Sequence, residues 1–186
     1  GRSLLNSELG CYLSHYGCVE KFLQTDTDYL VVLEDVLRID NNFSSTLQEI
    51  LHYLHSQKNI EWSLINIAAK KNKISREIFR THDYSLVRAY YFPIRGVGLV
   101  WSRQGAHDFL KMAQNPCLPV DIFFQNWLIK NGKGLSIWPP LVRPAGLDSD
   151  ILGTVATERV RRKQKENRDF SFFMKKQLRL LKNNIL

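Results

Sequence analysis

Five consecutive residues, Tyr29-Leu30-Val31-Val32-Leu33, are apolar and rich in β-formers, with Asp26 and Asp28 just before them and Glu34-Asp35 just after. An unbroken run of this length between polar boundaries reads as a strand covered on both faces, which requires a layer of structure above it and another below. The run therefore predicts a central parallel strand of an α/β sheet. The surrounding sequence keeps the alternation of periods that such a sheet needs. Leu9, Leu13, Tyr16, Val19, Phe22 and Leu23 recur at three- and four-residue steps behind Ser7, a candidate N-cap, and predict a helix over Ser7 to Leu23. Gly10, Ser14 and Gly17 put small residues on one side of it, which suits close approach by another element or by a ligand, or simply tight packing.

Beyond the central run, Leu47, Ile50, Leu51 and Leu54 form a helical stripe capped by Ser44 or Ser45, and Trp62 to Ile67 reads as a strand. Lys70 to Arg80 is polar and basic and reads as a loop. Ser85 to Tyr91 and Val97 to Trp101 read as strands, the second running into a helix capped by Ser102. Gly96 and Gly98 precede that helix without the third glycine of a dinucleotide fingerprint. Pro119-Val120-Asp121 opens another helix, with proline in the first turn, an acid at the positive end and Gly132 to close it. Leu135 to Trp138 is the last predicted strand; Pro139-Pro140 ends it, and an irregular loop is expected through Ser149-Asp150. The sum is an α/β sheet with helices on both faces.

Length and composition bound this picture. A chain of 186 residues with 44% hydrophobic and 24% charged residues suits one domain with a sizeable core, and excludes collagen-like, disulfide-scaffold and wholly disordered chains. No run approaches the roughly 18 apolar residues of a membrane span, and the first residues lack the layout of a signal peptide. The sequence opens at Gly1 without an initiator Met, so a segment upstream is expected. Cys11, Cys18 and Cys117 are an odd number with no CxxC pair, which fits reduced thiols in a cytosolic protein. Cys11 and Cys18 lie seven residues apart, on one helix face, and without a nearby His or further Cys they read as small buried residues rather than zinc ligands.

The formal charge of +8 is unevenly spread. Thr157 to Leu186 hold ten Lys/Arg and three Asp/Glu, leaving 16 basic and 15 acidic residues for the nearly neutral segment 1–156. Within the tail, Arg159 to Arg168 is densely basic, and Phe170, Phe173, Met174, Leu178, Leu181 and Ile185 recur opposite Lys175, Lys176, Arg179 and Lys182. This is a basic amphipathic C-terminal helix suited to an anionic membrane surface, with a helix docked on the body as the plain alternative. Nucleic acid ranks below both, because interleaved stacking aromatics are missing.

In open α/β sheets ligands collect beyond the carboxyl ends of the strands, where Glu34 and Asp35 stand. One or two carboxylates together with phosphate oxygens suffice for Mg or Mn on a nucleotide diphosphate, although an acidic pair after a strand is often only a solvated turn. The run Ser7-Glu8-Leu9-Gly10-Cys11-Tyr12-Leu13-Ser14-His15, then Leu30 to Asp35 with Phe43 downstream, resembles glycosyltransferase family 25, the lipooligosaccharide biosynthesis transferases. Gly96 to Ser102 with Gly105 and Ala106, then Pro119-Val120-Asp121, Pro140-Leu141-Val142 and Ser149-Asp150-Ile151, resemble the later blocks of that family in order. The resemblance covers Ser7 to Ile151, and the family's first nucleotide-binding strand would lie upstream of Gly1.

The resemblance implies a GT-A fold, with a Rossmann-like nucleotide-sugar-binding sheet. It also implies transfer of a hexose from UDP-galactose or UDP-glucose to a hydroxyl on a lipid-linked oligosaccharide or lipopolysaccharide core, with Mn2+ or Mg2+. Glu34 and Asp35 match the first acids of the family's Leu-Glu-Asp-Asp motif and would meet metal and nucleotide. Val36 stands where the second Asp belongs; Asp35 replacing it is the reading taken forward, beside weakened donor binding, metal independence and loss of activity. Asp121 matches the Pro-Val-Asp block and is the candidate general base of an inverting transfer. Glu8, Ser14 and His15 match the first block and would line the nucleotide or acceptor cleft, and Ser149 and Asp150 would close the site. His15 alone on a helix also reads as a hydrogen-bonded packing residue. The expected enzyme works at the cytoplasmic face, peripheral to the inner membrane; a noncatalytic homologue and a basic membrane- or nucleic-acid-binding module are the alternatives. Collagen-type hydroxylysine galactosyltransferases share the family, and would need a secretory context in which Asn42-Phe43-Ser44 is a glycosylation acceptor.

Overall fold

The structure, a computed structural model, describes residues 3–35 and 37–145. These belong to one compact unit, Gly1–Ala145. Val36, the Ser149-Asp150 pair and the basic tail 157–186 lie outside the described residues.

Apolar patterning explains the layers. Helix α1 (Asn6–Leu23), helices α3 (Arg103–Met112) and α4 (Val120–Asn131), and helix α2 (Phe43–Ser56) flank one sheet. The sheet has six strands, β1 (Tyr29–Leu33), β3 (Leu64–Asn66), β4 (Ser75–Thr81), β5 (Tyr84–Ala89), β6 (Gly98–Ser102) and β7 (Gly134–Trp138), in the order β1-β6-β3-β7-β5-β4. Along β3 and β6 successive residues serve opposite cores. Leu64, Leu99 and Trp101 face α1, α3 and α4, whereas Ile65 and Val100 face α2 with its Leu47, Ile50 and Leu54. Helices thus cover both faces, as the alternation predicts. Phe109 of α3 lies between Trp101 and Phe124 of α4, with ring centroids 5.0 and 5.4 Å away, and is fully buried.

Direction and order depart from the sequence reading. Only β3 and β7 run parallel; every other neighbouring pair in the sheet is antiparallel. β1 is not central. It pairs with β6 alone among the described strands, and Val31 and Leu33 are 38% and 37% exposed. Leu30 and Val32 pack against the α1 side, and Tyr29 stacks on Trp62 at 5.8 Å, so the apolar run is half-covered rather than enclosed. The strands enclosed on both faces are β3, β6 and, up to Ile137, β7.

Three further strands, β4, β2 (Leu37–Ile39) and β8 (Val142–Pro144), are not legible as such in the sequence. β4 occupies most of the expected basic loop: it is an edge strand, exposed along its first residues, bulged between Glu77 and Phe79, and hairpinned to β5 through His82 at φ 38° and Asp83. Charged residues on an edge discourage further pairing, which is why it reads as loop. After Pro140, β8 pairs antiparallel with β2 instead of remaining irregular.

The local signals for helix ends hold with small shifts. α1 starts after Leu5 rather than at Ser7, and the Leu5 N–H donates to Glu8 Oε2 at 3.0 Å. α2 starts at Phe43 behind Asn42, so Ser44 and Ser45 lie inside it. Ser102 caps α3, its Oγ accepting the Gly105 N–H at 3.0 Å. Gly132 ends α4 at φ 70°, a left-handed conformation that costs glycine little. The small-residue side of α1 faces open space: a Cβ on Gly10 or Gly17 would meet nothing within 4 Å, so no described element approaches it. Cys18 is exposed rather than buried.

Candidate active site

The buried face of α1 carries Tyr12, His15, Val19 and Phe22, the spacing of a stripe that packs on the sheet. His15 is 2% exposed and meets Phe124 of α4 edge-on at 5.5 Å. Cys11 lies one turn before it on the same helix, half-buried. Glu34 follows β1 immediately, and its backbone N–H donates to Val97 O at 3.0 Å, fixing where the side chain begins. His15 Nε2 stands 3.9 Å from Glu34 Oε1, an ion-pair distance too long for a hydrogen bond. Nδ1 of the same ring is buried without a hydrogen-bond partner.

Asp121 occupies the first turn of α4, where its Oδ1 accepts the Ile122 N–H at 2.8 Å and the positive helix end favours its charge. The Cys11 thiol registers both acids. Burial first, then the carboxylates of Glu34 and Asp121, push it up from 9.0 to about 11. Segment 92–97 closes the other side. A Cβ on Gly96 would lie 3.5 Å from His15 Nε2 and 3.9 Å from Glu34 Oε1, so the missing side chain keeps open space against both groups.

That segment is held by two buried amides. Asn66, at the end of β3, donates from Nδ2 to Arg95 O at 2.8 Å and to Pro93 O at 3.4 Å, while its Oδ1 accepts the Ala68 N–H at 2.9 Å. Gln125 of α4 donates to Phe92 O at 2.6 Å. Neither amide was singled out from sequence, although Asn66 is the one polar residue interrupting an apolar run that ends at a strand terminus.

Of the residues expected at the site, His15, Glu34 and Asp121 gather around Cys11. Glu8 sits at the start of α1, accepting the Leu5 N–H. Ser14 is exposed and donates back to Gly10 O at 2.9 Å. Asp35 is exposed and joins no cluster of three metal-ligating side chains among the described residues. The cluster that does form is Cys11, His15 and Glu34, whose ligand atoms all lie within 4.8 Å of one another. The sequence reading denied Cys11 a nearby histidine; His15, one helical turn on, is that histidine.

A mostly antiparallel six-stranded sheet covered by helices on both faces, with carboxylates after an edge strand and at a helix N-terminus, defines a GT-A-like glycosyltransferase domain. Residues 1–124 match the family model described as glycosyltransferase family 25 (LPS biosynthesis protein), and the chain belongs to that family. It is 35% identical over 127 residues to procollagen galactosyltransferase 1 of Danio rerio, covering 66% of this chain and 20% of that protein. It is 32% identical over 126 residues to the probable inactive glycosyltransferase 25 family member 3 of Bos taurus, with the same coverage of 66% and 20%. A glycosyltransferase 25 family member of Drosophila pseudoobscura pseudoobscura is 33% identical over 125 residues, 66% of this chain and 19% of that protein. The chain thus spans about a fifth of the length of these relatives. Among the described residues no helix is long and apolar enough to cross a membrane.

Proposed function

We propose that this chain belongs to a galactosyltransferase that moves galactose from UDP-galactose to an acceptor hydroxyl. One observation supports the reading: Cys11, His15, Glu34 and Gly96, from three segments far apart in sequence, adjoin one another, and the Asp121 carboxylate is near enough to help raise the Cys11 thiol. In the proposed reaction Asp121 takes the acceptor proton while the hydroxyl oxygen attacks the anomeric carbon. The bond from that carbon to the diphosphate oxygen breaks, and its electron pair leaves with UDP. Galactose is chosen because four of the relatives are named procollagen galactosyltransferases. Those names also draw the acceptor toward procollagen, beside the lipooligosaccharide core that the family description supports.

The Mn2+ or Mg2+ expected from the family finds a mixed answer in these residues. Hard cations prefer an all-oxygen set, whereas Glu34 is turned toward a thiol and an imidazole. Asp35 would then hold such an ion with diphosphate oxygens, neutralising the charge on the leaving group. The basic segment 157–186 would bring the protein to an anionic membrane surface; its deletion should abolish sedimentation with phosphatidylserine vesicles.

The test is transfer of labelled galactose from UDP-galactose to a procollagen peptide and, separately, to a lipooligosaccharide core, by the full chain and by Asp121→Asn. Loss of a general base should lower kcat at least about 100-fold. Equal turnover by the variant would remove Asp121 from the chemistry. A noncatalytic protein is the second reading, favoured by the inactive relatives and by Val36; it predicts UDP-galactose binding with no transfer to either acceptor.

A further inference from the structure

Cys11, His15 and Glu34 bring one sulfur, one nitrogen and one oxygen ligand atom within 4.8 Å of one another. Nothing in glycosyl transfer from a nucleotide sugar asks for that set. We propose that these three side chains bind a borderline-soft divalent cation of the zinc class, in a site chemically separate from any hard cation on the donor diphosphate.

The backbone prepares the site from two directions. Residues four apart on α1 lie one above the other, so Cys11 and His15 present their donors from one helix face. Glu34 enters from the sheet, held in place by the five-residue register of β1 on β6 and by its own N–H on Val97 O. Ligands of a four-coordinate zinc, at bonds of about 2.0–2.3 Å, lie roughly 3.5 Å apart. The 3.9 Å between His15 Nε2 and Glu34 Oε1 is already close to that, and the Glu34 side chain, 38% exposed, has room to close the rest.

The second observation is the state of the imidazole. A histidine buried only for packing has its ring nitrogens satisfied. His15 is 2% exposed, its Nδ1 has no partner, and its Nε2 faces the Glu34 acid beyond hydrogen-bond range, so packing alone does not account for this imidazole, and a cation between Nε2 and the acid would satisfy both. Its surroundings select for an ion as well. On binding, the Cys11 S–H bond breaks, a sulfur–metal bond forms and the proton leaves to solvent, with no change of oxidation state. Thiolate and carboxylate then balance a 2+ ion inside a half-buried space. Softness of the donors favours zinc over magnesium or manganese. Three protein ligands leave a fourth position open, and Gly96 adds no side chain beside Nε2 to cover it.

The test uses the full chain, stripped with a chelator, and Co2+ alone as a spectroscopic substitute for zinc. One cobalt per chain should give a near-ultraviolet thiolate-to-cobalt absorption that stoichiometric Zn2+ abolishes. The band should persist in a Cys18→Ser/Cys117→Ser double variant and in Asp35→Ala, disappear in Cys11→Ser, and need at least about tenfold more cobalt in Glu34→Gln. No thiolate band from the unmodified chain overturns the site, as does a band that follows Cys18 or Cys117, one lost with Asp35, or a smaller loss in Glu34→Gln. The double variant decides the matter even if Cys11→Ser fails to fold. No sugar donor enters the measurement, so failure of galactosyl transfer and failure of this site are separate results.

Discussion

Isolating Cys11 by a Cys18→Ser/Cys117→Ser double variant turns the site into its own reporter, since both other thiols are exposed. Burial and the carboxylates of Glu34 and Asp121 raise the Cys11 thiol from 9.0 to about 11. At pH 8 that leaves about 0.1% thiolate where an ordinary thiol has about 10%, a loss of roughly 100-fold in the reactive species. The more basic thiolate is also the better nucleophile, and a Brønsted slope of about 0.4–0.5 over two units returns roughly 6- to 10-fold. The metal-free double variant should therefore react with an aromatic disulfide roughly 10- to 15-fold more slowly than an unstructured cysteine peptide. Its rate should climb with pH toward a midpoint near 11. Glu34→Gln removes a secondary cause and leaves the main one, burial, so the midpoint should fall part of the way toward 9.0. Folding favours the neutral thiol, so this group stabilises the protein below pH 9.0, and the contribution is lost as pH rises toward about 11. Reaction as fast as the free peptide at pH 8, or a midpoint that Glu34→Gln leaves in place or raises, would refute the proximity of the acids to the thiol.

Three further outcomes follow from packing and hydrogen bonds. Phe109→Ala, which empties a fully buried position among Tyr12, Trp101, Phe123 and Phe124, should cost about 3–5 kcal/mol in urea denaturation; a loss under about 1 kcal/mol would contradict that packing. Ser102→Ala removes both the α3 cap and the Oγ donation to Trp62 O at 2.8 Å, and should cost about 1–2 kcal/mol by the same measurement. Asp40 is held below the ordinary carboxylate value by the Tyr84 hydroxyl, which donates to its Oδ1 at 2.7 Å, and by the Asn42 N–H. That stabilisation is present above pH 3.8 and is lost as pH falls below it, so Tyr84→Phe should be less stable than the parent at pH 7, with the carboxylate part of the difference shrinking as the pH is lowered below 3.8.

What the sequence made legible was set by the range of the physics involved. Helix ends depend on neighbours within four residues, so Ser102, Pro119 and Gly132 marked theirs closely. Strand identity was nearly as local, because β-rich apolar runs have few other uses. Strand neighbours are not local. The run Tyr29 to Leu33 has the composition of a strand enclosed on both faces, yet Val31 and Leu33 stay over a third exposed, because β6 is its only partner among the described residues. Hydrophobicity states that a residue is suited to burial; the chain's connections decide whether cover arrives. The opposite error at β4 has the same origin: Ser75 to Thr81 is charged enough to pass for loop, and only its pairing with β5 makes it a strand.

The site divides along the same line. Motif order located His15, Glu34 and Asp121, but not the residues that join them. Cys11 was weighed against Cys18, seven residues away, when its partner under helical geometry was His15, four residues away. Gln125 carries no sequence signature and Asn66 only that of a lone polar residue in an apolar run, since their function is to hold carbonyls of segment 92–97. Gly96 looked like a failed nucleotide-loop glycine, and its meaning emerges only from what a Cβ there would touch. The pairing of Glu34 with Asp35 in sequence suggested one hard-cation site; in the fold Glu34 joins Cys11 and His15, and Asp35 joins no cluster of three such side chains among the described residues. One carboxylate stands exposed after the strand; the other is drawn toward a thiol and an imidazole. The chemistry of this region is therefore better sought in what each acid faces than in the dipeptide they form.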